Sequence, residues 1–163
     1  MKIILTEHSD GIEICDFFGF ADLEAAKDLR PMQPGIQDMR EPGLDQRIAT
    51  GPNAIIVCAE TDSRIYARYE LWDGPATIDS AWEELWTGNL FMASGRICGV
   101  GNYMGEMRYY PDFDLGQEMT LWHTRVCSKL VDNDRDPGFP RDIYRINLFT
   151  LQFWLPRGCS SSR

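Results

Sequence analysis

Histidine, cysteine and carboxylate positions are where this sequence can carry chemistry, and they are sparse. The histidines are His8 and His123, and the cysteines are Cys15, Cys58, Cys98, Cys127 and Cys159. His123 stands four residues before Cys127. On a strand, that spacing points both side chains the same way but about 13 Å apart, at ~3.3 Å per residue. One metal ion does not bridge such a span, and no Cys-x-x-Cys pair is present to build a structural zinc site. Cys127 with His8 would make a nucleophile and its base, yet no spacing supports the pair. The glycines between Gly95 and Gly105 lack the Gly-Lys-Ser/Thr ending of a phosphate loop, and there is no Gly-x-Ser-x-Gly elbow. No catalytic residue, metal ligand or cofactor is therefore assigned.

Asp132-x-Asp134-x-Asp136 has the opening spacing of a calcium loop. The pattern then requires glycine at the sixth position and glutamate at the twelfth, where this chain has Pro137 and Ile143. The stretch reads instead as a solvated acidic turn. Acids recur beside aromatic residues between Gly101 and Gly116, where Tyr103, Tyr109 and Tyr110 accompany Asp112 and Asp114. Five tryptophans, Trp72, Trp82, Trp86, Trp122 and Trp154, add large aromatic surface. Most such residues fill cores, but aromatic residues interleaved with acids also suit a surface that receives a basic protein. Tyr66, Trp72, Tyr103, Tyr109, Tyr110, Asp112, Asp114, Asp132, Asp134 and Asp136 are the candidate partner-binding residues.

The charge balance agrees with that choice. Sixteen Lys and Arg stand against twenty-five Asp and Glu in 163 residues, a net charge of −9. A field of that sign repels nucleic-acid phosphate and attracts basic surfaces. The apolar run after Met1 stops at Glu7, short of a signal peptide, and no run reaches membrane-span length. An odd set of scattered cysteines in apolar contexts fits reduced thiols. A cytoplasmic protein without a membrane or nucleic-acid partner is expected.

The elements that must position these residues are strands. Ile65, Ala67, Tyr69 and Leu71 alternate with Tyr66, Arg68, Glu70 and Trp72, a period of two that turns one set inward. Asp73-Gly74-Pro75 ends this strand. A second apolar run, Trp82 to Ala93, is followed by a turn at Ser94-Gly95 and a strand over 96–100. Earlier, Lys2–Glu7 and Gly11–Phe18 around Ser9-Asp10-Gly11 predict a β-hairpin. Asp22 caps a short helical segment running to Leu29. Prolines and glycines from Pro31 to Gly43 predict an irregular connection. Gln46–Thr50 and the continuously apolar Ala54–Ala59 predict two strands, the second covered on both faces. Thr61-Asp62-Ser63 is expected to fold that strand back on Arg64–Trp72 as a hairpin. Gly101–Gly116 reads as an exposed connection with a ragged edge strand at Met107–Tyr110. Glu118–Leu130 and Ile143–Leu155 complete the strands, with Phe149, Leu151, Phe153 and Leu155 on one face. The fold class is all-β, a single-domain antiparallel β-sandwich over 1–158 with at most one or two short helices, followed by a flexible tail, 159–163.

The order of strand, Trp72-Asp73-Gly74-Pro75, Asp79, Trp82-Glu83, apolar strand and Ser94-Gly95-Arg96 resembles small bacterial β-sandwich proteins of the competence protein J family of DNA-entry nuclease inhibitors. Phe153-Trp154-Leu155-Pro156 fits the closing strand. The Glu118–Leu130 strand and the Asp132–Asp136 excursion stand where such proteins carry a basic strand. The resemblance covers roughly the second half of the chain. It implies a non-catalytic intracellular protein whose partner is a nuclease or toxin. The alternative from another class is a small sandwich or barrel enzyme, or a small-molecule binder, with a tryptophan-lined pocket served by His123 or an acid.

Overall fold

The computed structural model describes residues 2–7, 17–26, 36, 39–43, 45–58, 64–103, 106–132 and 145–156. The elements are β1 (Lys2–Glu7), β2 (Phe17–Asp22), α1 (Leu23–Ala26), β3 (Ile48–Thr50), β4 (Ala54–Val57) and β5 (Arg64–Leu71). They continue with β6 (Glu83–Met92), β7 (Arg96–Tyr103), β8 (Glu106–Asp114), β9 (Thr120–Asp132) and β10 (Arg145–Trp154). One sheet has the order β1-β5-β10-β9-β6 and the other β3-β4-β2-β7-β8. The pairings are antiparallel, with one parallel ladder, β5 on β10. Among the described residues no helix is long and apolar enough to cross a membrane.

Alternation explains why the sheets stack. Ile65, Ala67 and Tyr69 of β5 and Phe149, Leu151 and Phe153 of β10 turn one way, toward Phe18, Phe20, Ile55, Ile97 and Phe113 of the other sheet. Aromatic rings lock the layers together. Phe20 meets Tyr69 edge-on at 6.0 Å, and Tyr69 stacks on Phe113 at 5.4 Å. Burial pushes the Tyr69 phenol well above its ordinary range, partly offset by a hydrogen bond with the Gly99 backbone. At the open edge, Arg47 beside β3 reaches Glu83 of β6 and donates to Ser128 Oγ at 3.2 Å, tying one sheet to the other.

A second apolar layer covers the far side of the β3-β4-β2-β7-β8 sheet, where Ala26 of α1, Ile36 and Met39 rest on Ala21, Ile56 and Val100. The residues of β4 are accordingly buried throughout, as its unbroken apolar sequence predicts. Gly19 is needed for this close approach. A Cβ there would stand 2.3 Å from the Ile55 carbonyl oxygen and 2.6 Å from Ile36 Cδ1. Asp22 caps α1 as expected, its Oδ1 accepting from the Glu24 and Ala25 amides at 3.0 and 3.2 Å. Its Oδ2 accepts from the Ser94 amide and hydroxyl at 2.9 and 2.8 Å, which anchors the turn between β6 and β7.

The structure corrects several local expectations. β1 and β2 do not form a hairpin, because β1 pairs with β5 while β2 pairs with β4 and β7. β4 and β5 likewise lie in different sheets and do not form the expected hairpin. Turn residues specify that the chain reverses, but not which sheet receives the next strand. The 101–116 connection is largely strand, with β8 paired to β7. Its register shifts between Cys98 and Val100, leaving Tyr110 and Pro111 opposite Gly99. Such a bulge on an edge strand accommodates proline, which has no amide hydrogen to give to a ladder. Residues 27–30, the turns expected at Ser9-Asp10-Gly11 and Thr61-Asp62-Ser63, the start of the strand expected over Gly11–Phe18, and residues 159–163 lie outside the described residues.

Candidate functional site

The outer face of the β5-β10-β9-β6 sheet is polar, because every second residue of its strands is turned away from the core. Strand register sets these residues in rows. Arg68, Thr150, Cys127 and Glu84 lie opposite one another across the four strands, and so do Glu70, Gln152, Arg125 and Thr87. A third row places Trp154 beside His123, their rings stacked at 5.7 Å. The Arg125 guanidinium lies 5.5 Å from the Trp154 ring centre, within cation–π range.

Glu70 is the hub of the second row. It is 5% exposed, and burial of a carboxylate requires partners. Its Oε1 lies 2.8 Å from Arg68 Nε, and its Oε2 accepts from the Trp72 indole N–H and the Gln152 amide, each at 2.8 Å. Gln152 also donates to the Thr77 carbonyl at 2.9 Å, and Arg125 donates to the Ala76 carbonyl at 2.8 Å. Arg125 Nε lies 3.2 Å from Glu84 Oε2. The loop from Trp72 to Trp82, opened by Asp73-Gly74-Pro75, is thus fastened across the sheet by side chains of β9 and β10. Its far end is turned by Asp79, whose carbonyl accepts from the Trp82 amide at 3.0 Å and whose Oδ1 accepts from the Ala81 amide at 2.9 Å.

Between this loop and the sheet lies a cleft of about 210 Å³. Thr150 and Cys127 line it from the strands, with Trp72, Ile78, Asp79 and Trp82 from the loop. Burial pushes the Cys127 thiol up to about 11, against a smaller opposing pull from Arg125, so it is a protonated wall group and not a thiolate nucleophile. Thr150 is 5% exposed, and its Oγ1 has no hydrogen-bond partner among the described residues.

The predicted partner-binding residues fall into separate places. Tyr66 and Trp72 are half-buried at β5, Tyr66 on the outward set and Trp72 fastened to Glu70 beside the cleft. Tyr109 is exposed on β8, whereas Tyr110 packs toward the core with its ring 5.9 Å from Phe18. Asp112 and Asp114 both face Arg96, Asp112 in direct contact and Asp114 at 3.8 Å. Tyr103 closes β7 opposite Glu106, and Asp132 ends β9 opposite Arg145. Asp134 and Asp136 lie outside the described residues. Among the described residues no three of His, Cys, Asp and Glu come together to hold a metal ion.

Sequence reasoning missed Glu70, Gln152, Thr150 and Arg125. Each was visible only as a polar residue in an alternating strand. Their convergence depends on β5 pairing with β10, which is remote in sequence.

No family model matches the sequence, and no curated protein matches it either. The fold is similar to the crystal structure of ComJ, inhibitor of the DNA degrading activity of NucA, from Bacillus subtilis. The two share 12% identity over 96% of each chain at a TM-score of 0.53, a likeness of fold. The resemblance to the competence protein J family carried by Arg64–Arg96 is met at that level, and it extends over nearly the whole chain.

Proposed function

We propose that this chain is a non-catalytic, intracellular protein-binding module that neutralises a basic partner, a nuclease or toxin, through the outer face around β5 and the 72–82 loop. The observation that carries the reading is one of charge and exposure. From Tyr69 to Gly95 the chain holds Glu70, Asp73, Asp79, Glu83 and Glu84 and no lysine or arginine. All of these acids but Glu70 are exposed, and between them Trp72 and Trp82 are half-buried and Ile78 is 41% exposed. Acids around aromatic and aliphatic anchors supply steering and desolvated contact together. The net charge of −9 reinforces the attraction. The fold likeness to a nuclease inhibitor supports the partner class by analogy, since fold alone does not carry function. Asp112, Asp114 and Tyr109 on β8 form a second candidate patch.

The small-molecule reading draws on the cleft itself. Its volume, about 210 Å³, falls below the roughly 300–1,000 Å³ of ligand pockets. That size suits an inserted side chain better than a whole metabolite. The test is affinity capture from the native host with two baits, wild type and the variant Asp73→Lys/Asp79→Lys, eluted by rising salt. A basic protein held by wild type, released by moderate salt and lost from the variant is the expected result. Identical retention on both baits, or no basic protein on either, contradicts the reading.

A further inference from the structure

Resting on the basic-partner reading, we propose that the cleft between the 72–82 loop and the sheet is the receptor for one arginine side chain of that partner. The charge lining the cleft is already balanced on one side, because Arg68 pairs with Glu70 at 2.8 Å. Glu70 Oε2 is itself occupied by the Trp72 and Gln152 donors. Asp79 at the exposed rim, which has no ion-pair partner among the described residues, then supplies negative charge. A second and independent feature is Thr150. Its hydroxyl oxygen is buried, lines the cleft and lacks a partner among the described residues. A buried hydroxyl in that condition calls for a partner from outside and can accept from an N–H donor.

A guanidinium meets both requirements at once. It is planar, carries several N–H donors, stacks on indole faces and is weakly hydrated. Trp72 and Trp82 provide the aromatic walls, Ile78 and the protonated Cys127 thiol the apolar ones. Glu70, fastened to Trp72 and Gln152, keeps the cleft open in one shape before the partner arrives, which lowers the ordering cost of binding.

The probe is N-acetylarginine amide, titrated into the full chain while the Trp72 and Trp82 indole N–H resonances are followed by NMR, with N-acetylcitrulline amide as the neutral isostere. Saturable shifts with a Kd of about 10 mM or tighter are expected for the arginine probe alone. Asp79→Asn weakens it roughly threefold, and Thr150→Val, close in shape and checked by its dispersed amide spectrum, about fivefold. Shifts that stay linear to about 50 mM, that citrulline reproduces, or that neither variant alters overturn the assignment. The two-bait capture is scored separately. Capture without saturable arginine shifts sinks the cleft and leaves the basic partner standing. Saturable shifts without capture keep the cleft as a guanidinium site and sink the partner.

Discussion

Asp22 shows how one side chain fixes a junction. It is fully buried and its two oxygens accept from the Glu24 and Ala25 amides and from both donors of Ser94. Asp22→Ala leaves the Glu24, Ala25 and Ser94 amides without that acceptor, the Ser94 hydroxyl keeping the Arg96 carbonyl at 3.1 Å, and should cost about 2–4 kcal/mol in urea unfolding. Thr150→Val should do the opposite of most core changes. With no partner to lose among the described residues, its urea midpoint should stay level or rise by up to roughly 1 kcal/mol equivalent. Cys127 gives a pH signature. Burial raises its folded-state pKa from 9.0 to about 11, so the folded chain holds the proton longer than the unfolded one. Stability from this group is full below pH 9 and is lost as pH climbs through about 11. Alkylation followed by peptide mapping at pH 8 should modify exposed Cys58 before Cys127. Faster labelling of Cys127 would contradict its protonated, buried state.

At the scale of elements, the 72–82 loop depends on strands far from it in sequence. Gln152→Ala removes the donors to Glu70 and to the Thr77 carbonyl. It should destabilise the fold by about 1–3 kcal/mol and open the 73–81 loop to limited proteolysis; unchanged cleavage there would mean the loop holds itself. These elements also mark what was legible in the sequence. The inward set of β5, Ile65, Ala67 and Tyr69, and that of β10, Phe149, Leu151 and Phe153, follow from period-two alternation alone. The both-faces burial of β4 follows from its unbroken apolar run. The Asp73-Gly74-Pro75 and Ser94-Gly95 breaks were equally plain. What was not legible is which strands become neighbours. The expected hairpins β1–β2 and β4–β5 fail because consecutive strands cross between sheets, and local turn chemistry is the same in either case. The cleft was hidden for the same reason. Trp72 was identified from its outward parity, but its hydrogen-bonded neighbours come from β5 and β10, joined by a parallel ladder that no local pattern announces.

The whole molecule is an acidic sandwich with two candidate docking faces, one around the 72–82 loop and one along β8. Both engage acids in ion pairs, the loop face through Glu83 with Arg47 and Glu84 with Arg125. Asp112 and Asp114 share Arg96, so reversing them disturbs an internal ion pair as well as the surface. Asp73 and Asp79 are exposed on the loop beside Trp72 and Ile78. Reversing Asp132, Asp134 and Asp136 should leave binding unchanged if the loop face is the one used; a weakened complex would move the interface to that end of the molecule. The central claim is that this face meets a basic protein. The most direct measurement is calorimetric titration of the captured partner with wild type and with Asp73→Lys/Asp79→Lys across a series of salt concentrations. The expected wild-type Kd weakens steeply with salt, and the variant is at least roughly tenfold weaker with a shallower dependence. Equal affinities and equal salt slopes for the two proteins would contradict it.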